Sequence, residues 1–231
     1  MAAGGQKIIP VMKKLLLLAS VLMLSFAMNA QEDVTKFLGI PVDGTKSEMI
    51  DKLLAKGFTR TEYDRETLEG EFNGEPVSII IQTVNNKVWR IIVSQHAMVD
   101  ETAIRIRYNN LCDQFANNPN YYSLTPVEEY YIPEGEDIAY EMAVKNKSYQ
   151  SIFFQTNLMT VLEKAKEILS SKYSKALLAN PTEDVQKELS DLTYDLLVKK
   201  AVWFTIQKSY GEYHLGIFYE NGYNKADGSD L

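Results

Sequence analysis

The chain has little of what most catalytic centres need. It holds one cysteine, Cys112, and two histidines, His96 and His214. A lone cysteine excludes an internal disulfide, so apolar packing must hold the fold. Two histidines cannot form a three-histidine zinc site, and neither His-x-x-x-His nor Cys-x-x-Cys spacing occurs. There is no glycine-rich phosphate loop, Gly-x-Ser-x-Gly elbow or dinucleotide fingerprint. Positive charge is also short, with 24 basic against 31 acidic residues and a net charge of −7. Nucleic-acid phosphates and anionic membrane surfaces demand clustered Lys and Arg, so both are poor partners for this chain. No cofactor and no metal are expected.

What is present is apolar bulk and an address. Of 231 residues 45% are hydrophobic, with 14 tyrosines and 9 phenylalanines, enough for a sizeable core without disulfides. Met12–Gln31 reads MKKLLLLASVLMLSFAMNAQ: Lys13 and Lys14, an apolar run from Leu15 to Met28, then small residues. A membrane span needs about 20 apolar residues. The shorter run with a positive start and a small-residue end has the form of a cleaved export signal. Cleavage is expected after Ala30, with Ala27 as the rival site, and Met12 competes with Met1 as the start. The leader therefore covers 1–30. Its removal takes away Lys7, Lys13 and Lys14 and leaves the rest more acidic still. The mature protein is expected in the periplasm or outside the cell, without stable membrane insertion.

Periodicity then divides the chain. Thr45 and Glu48 have the spacing of a capping box, and Met49, Ile50, Leu53 and Leu54 form a helical stripe closed by Gly57. The period changes to two across Phe58–Tyr63, Thr67–Phe72, Val77–Thr83 and Val88–Ser94, with turns at Asn73-Gly74 and Asn85-Asn86. In the last of these strands Trp89, Ile91 and Val93 are expected on one face. A second helix follows Asp100, with Ile104, Tyr108, Leu111, Cys112 and Phe115 on its apolar side. Ile138–Lys145 and Tyr149–Gln155 read as a hairpin turning near Asn146. Leu158–Leu178 reads as one helix, and a further helix has Pro181 just inside its start. Val202–Lys208 and Tyr213–Tyr219 close as strands, and Asn221–Leu231 reads as a solvated tail. The expected fold is α+β, helices packed on antiparallel sheet. Two helix-plus-four-strand modules, 31–98 and 99–231, are expected, with a helical hairpin inserted at 157–199. Val88-Trp89 and Val202-Trp203 echo each other as traces of a repeat.

The segment Phe37-Leu38-Gly39-Ile40-Pro41-Val42-Asp43-Gly44-Thr45, continuing to Lys56-Gly57-Phe58, resembles the opening of uncharacterised exported proteins of Gram-negative bacteria. Its helix-before-sheet order is similar to the β-lactamase-inhibitor-protein-like modules and the small outer-membrane assembly lipoproteins. The likeness rests on Gly44, Thr45, Glu48 and Gly57 and covers about 60 residues. It implies a protein-binding or envelope role without catalysis. The chain lacks the lipidated cysteine of the lipoproteins and the paired cysteines of the inhibitors, so neither tethering nor inhibition carries over.

Side chains that could carry chemistry each have an ordinary alternative. Cys112 with His96 or His214 could pair a thiol with a base, yet Cys112 lies on an apolar helix stripe, where cysteine behaves as a small hydrophobe. Glu128-Glu129 and Glu134/Glu136/Asp137 are sequence neighbours in a loop, not carboxylates held across a cleft. Asn221, Asn224, Asp227 and Asp230 offer oxygen ligands, but Lys225 and Tyr223 break the calcium-loop register. Tyr121, Tyr122, Tyr130 and Tyr131 flank acidic residues without a burial period, and tyrosine is enriched at recognition surfaces. The expectation is a non-enzymatic exported binding or envelope protein, monomeric or weakly associating. It would contact a protein or glycan through a sheet face or those four tyrosines. A small periplasmic hydrolase with an unfamiliar site is the alternative, and a subunit that pairs through exposed strand edges is a third reading.

Overall fold

The computed structural model describes residues 33–226 and 228. The expected leader and signal peptide lie outside the described residues, as do Asp227 and Asp230.

A two-stranded ribbon, β1 (Lys36–Phe37) and β2 (Ile40–Pro41), leads into α1 (Lys46–Leu54). The Thr45 hydroxyl accepts from the Glu48 amide at 3.3 Å, and the Glu48 carboxylate accepts from the Thr45 amide at 2.8 Å. The capping box is closed, and the Thr45 amide holds that carboxylate below its usual range. Gly57, at φ +98°, turns the chain away, and the Phe58 amide reaches back to the Leu53 carbonyl at 3.2 Å.

Four strands follow as a meander: β3 (Thr59–Arg60), β4 (Leu68–Phe72), β5 (Glu75–Val84) and β6 (Lys87–Gln95). Asn73-Gly74 and Asn85-Asn86 turn it with all four residues at positive φ, the backbone that matches strand twist in a two-residue hairpin. α2 (Glu101–Ala116) is capped by Asp100, whose carboxylate accepts from the Ala103 amide at 2.8 Å. All five of its expected apolar positions are buried. After a 3-10 turn at Val127–Tyr130 and the short α3 (Ile138–Ala143) comes β7 (Gln150–Phe154). A helical hairpin comes next, built from α4 (Leu158–Leu169), α5 (Lys175–Ala179) and α6 (Glu183–Val198). The chain then returns as β8 (Ala201–Ser209) and β9 (Glu212–Glu220).

The sheet is antiparallel throughout, in the order β3-β4-β5-β6-β9-β8-β7. Two meanders therefore meet through their last strands, β6 and β9. The stretches read as modules, 31–98 and 99–231, contribute to one sheet and one core. Met49 and Leu53 of α1, Tyr108 and Phe115 of α2, and strand residues from Val77 to Tyr219 belong to the same buried cluster. The echoing pairs Val88-Trp89 and Val202-Trp203 lie on β6 and β8, the two strands that flank β9. No helix among the described residues is long and apolar enough to cross a membrane.

Five expectations need correction. Ile138–Lys145 is not a strand, so the second meander has three strands and not four. Asp137 caps α3 by accepting from the Tyr140 amide at 2.8 Å, Ile138 and Met142 pack inward at i and i+4, and Lys145 pairs with Glu141 at 2.7 Å. The helix expected over Leu158–Leu178 breaks after Leu169. There Ser170 and Ser171 donate their hydroxyls back to the carbonyls of Glu167 and Ile168, and Ser174 caps a new helix. Pro181 precedes the cap Thr182 and lies outside α6. Trp89 does not share a face with Ile91 and Val93. A register shift at Gln82/Thr83 places Val88 in the core with them and leaves Trp89 half-buried. The described part of the tail is fastened. Asn221 is buried, donating its amide to Trp89 O at 2.7 Å and Nδ2 to Val42 O at 2.8 Å, and Asn224 Nδ2 donates to Val88 O at 2.8 Å.

Candidate functional site

The helices α1 and α2 bury one face of the sheet. On the other, open face, most side chains stay half-buried or exposed. An antiparallel sheet can leave one face to water, and such a face is then polar. Here that expectation fails along one line. The register places Ile80 (β5) opposite Ile92 (β6), Ile92 opposite Phe218 (β9), Phe218 opposite Trp203 (β8) and Trp203 opposite Ile152 (β7). Five apolar side chains thus cross five adjacent strands in a single row. Ile80 and Ile152, at its ends, are 39% and 37% exposed. A mostly polar row, Ser78-Ser94-Gly216-Thr205-Gln150, borders it on one side. On the other Gln82-Arg90-Glu220 borders it across β5, β6 and β9, and Ala201 and Phe154 follow on β8 and β7, packed with Val161 and Leu197.

At the centre of the row the rings are locked. Trp203 stacks on Phe218 with centroids 3.8 Å apart and planes 7° from parallel. Arg90 lies over three rings, its guanidinium carbon 4.0 Å from the Trp89 centroid, 5.7 Å from Trp203 and 5.5 Å from Phe218. The Glu220 carboxylate accepts from Arg90 and from the Trp203 indole N–H, the latter at 2.7 Å. Both tryptophans of the chain therefore report on this one cluster.

The tyrosines singled out in the sequence face inward. The Tyr121 ring packs edge-on to Phe115 at 4.7 Å and its hydroxyl accepts from Gln155 at 3.3 Å. Tyr122 exchanges two backbone hydrogen bonds with Phe154, covering part of the β7 edge. Tyr130 donates to Ile152 O at 3.0 Å. Tyr131 donates to Asp113, and that hydrogen bond pushes its phenol up to about 12. Rings and hydroxyls alike fasten the 121–131 segment against α2 and β7. Glu136 likewise ties its loop down, accepting from Lys147 and Tyr149.

The structure does not bring Cys112 and the histidines together. Cys112 lies under α2 on the core side, its sulfur 3.3 Å from Ser151 Oγ. His214, on β9, alternates to the open face, and burial without a partner for Nδ1 holds its pKa down. His96 is exposed, its Nε2 2.7 Å from Ser78 Oγ on the open face. That serine–histidine contact joins residues 18 apart and has no signature in the sequence, because it depends on the β5–β6 register. No carboxylate orients the far nitrogen of His96 among the described residues, so the pair lacks the third member that makes serine nucleophilic.

Burial also sets the behaviour of Cys112. Loss of solvation pushes its thiol up to about 11, so the thiolate is scarce at neutral pH. Iodoacetamide is expected to leave the native protein unlabelled over hours and to modify Cys112 fully once urea unfolds it. Rapid native labelling, read by mass spectrometry, would contradict this burial.

Comparison of the chain with protein-family models, with curated proteins and with solved structures finds no match.

Proposed function

We propose that the chain is a non-catalytic binding protein, exported to the periplasm or beyond, that docks a partner protein on the open sheet face. The observation that carries this reading is the apolar row Ile80-Ile92-Phe218-Trp203-Ile152, flanked by polar residues along one side and over β5, β6 and β9 on the other. An apolar centre with a polar rim is the anatomy of a protein interface. Aromatic side chains and arginine are the residue types that dominate binding energy there. The rings are held in place by stacking and by Glu220, so little side-chain freedom is lost on docking. A glycan fits less well, because the Trp203 and Phe218 faces are already stacked on each other and the rest of the row is alkyl.

Placing a photo-crosslinking amino acid at position 80 or 152 tests the reading in cells of the source organism. A discrete adduct is expected at both positions, mapped by mass spectrometry to a partner peptide, and none at Lys52 on the exposed side of α1. The double substitution Ile80→Arg with Ile152→Arg should leave the fold intact, since both side chains are partly exposed, and should reduce capture at position 92 at least tenfold. Equal capture at Lys52, no adduct at either row position, or an adduct carrying only carbohydrate would remove the proposal.

A further inference from the structure

The helical hairpin carries a second feature that the sheet face does not explain. Between α4, α5 and α6 lies a cleft of about 710 Å³, within the usual range for small-molecule sites. Its walls are two helix stripes. Leu158, Leu162 and Lys166 follow one another at i, i+4 and i+8 along α4, and Leu189, Thr193 and Leu197 line it from α6. At 1.5 Å per residue the α4 stripe runs about 12 Å, from leucine at the base of the hairpin to lysine towards its tip. Thr193 turns its hydroxyl back onto Leu189 O at 2.6 Å, so the Leu189-Thr193-Leu197 line is apolar in effect, while Asn180, Gln186, Ser190 and Tyr194 complete the lining with polar groups.

Lys166 is the asymmetric element. It is the one charged side chain that lines the cleft, it is half-buried, and it forms no ion pair among the described residues. It also borders a second hollow of about 460 Å³, which Lys175 and Glu167 line as well. An elongated, mostly apolar trough therefore ends at an unpaired cation in an acidic chain.

We infer that this cleft binds a single-chain amphiphile with a carboxylate head. The alkyl tail lies along the leucines of α4 and α6, and the head pairs with Lys166 where the two hollows meet. A tail of this kind needs no polar partner along the leucine lines of α4 and α6, and an anionic head supplies the counter-charge that Lys166 lacks. Binding here is independent of any partner on the sheet face.

A dansyl-labelled undecanoate, followed by fluorescence on the full chain, is the direct probe. Saturable binding below the micelle concentration is expected, with displacement by laurate. Caprate, two methylenes shorter, should compete on the order of tenfold less well, since each buried methylene is worth about fourfold in affinity. Lys166→Gln should weaken laurate about tenfold, leave dodecanol unchanged and leave thermal unfolding unchanged, and Lys52→Gln should do nothing. Leu124→Ser, in the lining of the cleft, should weaken acid and alcohol alike. Absence of saturable binding, no dependence on chain length, or equal laurate affinity in the Lys166→Gln variant would each overturn the inference.

Discussion

Replacing Phe204 by alanine is expected to lower the stability of the protein by about 3–5 kcal/mol, the cost of emptying a large aromatic position in a packed core. Phe204 is fully buried on β8 where α2 crosses the second meander. Its ring lies 5.4 Å from Phe115 with planes 26° apart and 6.1 Å from Phe153 with planes 9° apart, and Tyr108 meets it edge-on at 5.2 Å. Removing it therefore forfeits three ring contacts, each worth about 0.5–1.5 kcal/mol beyond area. The cavity cannot close easily, because Tyr108 is pinned by its hydroxyl to Ser151 at 2.7 Å. Phe204→Leu fills most of the volume and should cost less than half as much. Urea unfolding with an unchanged m-value is the measurement. Because one core serves both meanders, tryptophan fluorescence, which reports the cluster at β6, β9 and β8, and far-UV circular dichroism, which reports the whole chain, should give one coincident transition in the variant. A loss below about 1 kcal/mol, or separate transitions by the two probes, would contradict the shared core.

How far the fold can be read from the chain depends on the range of the forces that set each element. Local signals succeed: the Thr45–Glu48 box, the Asp100 cap, the inward stripe of α2 and the Asn-containing hairpin turns all depend on residues within a few positions of one another. Ile138–Lys145 misleads because so short an apolar stretch fits either period, and only the Asp137 cap and the i,i+4 contacts decide for helix. Trp89 misleads because one irregular step in the β5–β6 pairing reverses which neighbours share its face. The tail misleads because a polar segment is not necessarily a solvated one. Asn221 and Asn224 are buried or half-buried by finding backbone carbonyls more than a hundred residues away. The open-face row is the least legible element. No strand of the row carries an apolar pattern that marks it out from an ordinary half-buried strand, and the row exists only once β6 pairs with β9. The tyrosine cluster, conspicuous by composition, turns inward because the 121–131 segment needs anchors along α2 and β7.

Glu220 holds the centre of that row together, and its removal should show it. In Glu220→Ala the Arg90 guanidinium and the Trp203 indole N–H both lose their acceptor. The two charged side chains are only 19% and 11% exposed, and Arg90 Nε already has no partner among the described residues. Water can replace little of what the carboxylate supplies, and leaving one half of a largely buried pair alone costs about 3 kcal/mol. Glu220→Gln retains an acceptor for the indole and loses only the charge, so about half that cost is expected. Arg90→Met keeps apolar contact with Trp89, Trp203 and Phe218 while removing the stranded cation. The double variant Arg90→Met with Glu220→Ala should therefore be more stable than Glu220→Ala alone, with a coupling energy of about 1–3 kcal/mol. Screening is weak for such a pair, so the coupling should persist as salt is raised. An exposed pair, worth well under 1 kcal/mol, would instead give additive losses that fade with salt. Additive losses in urea melts would mean that Arg90 is held by its rings alone, and the preorganised centre proposed for partner docking would then lack its clamp.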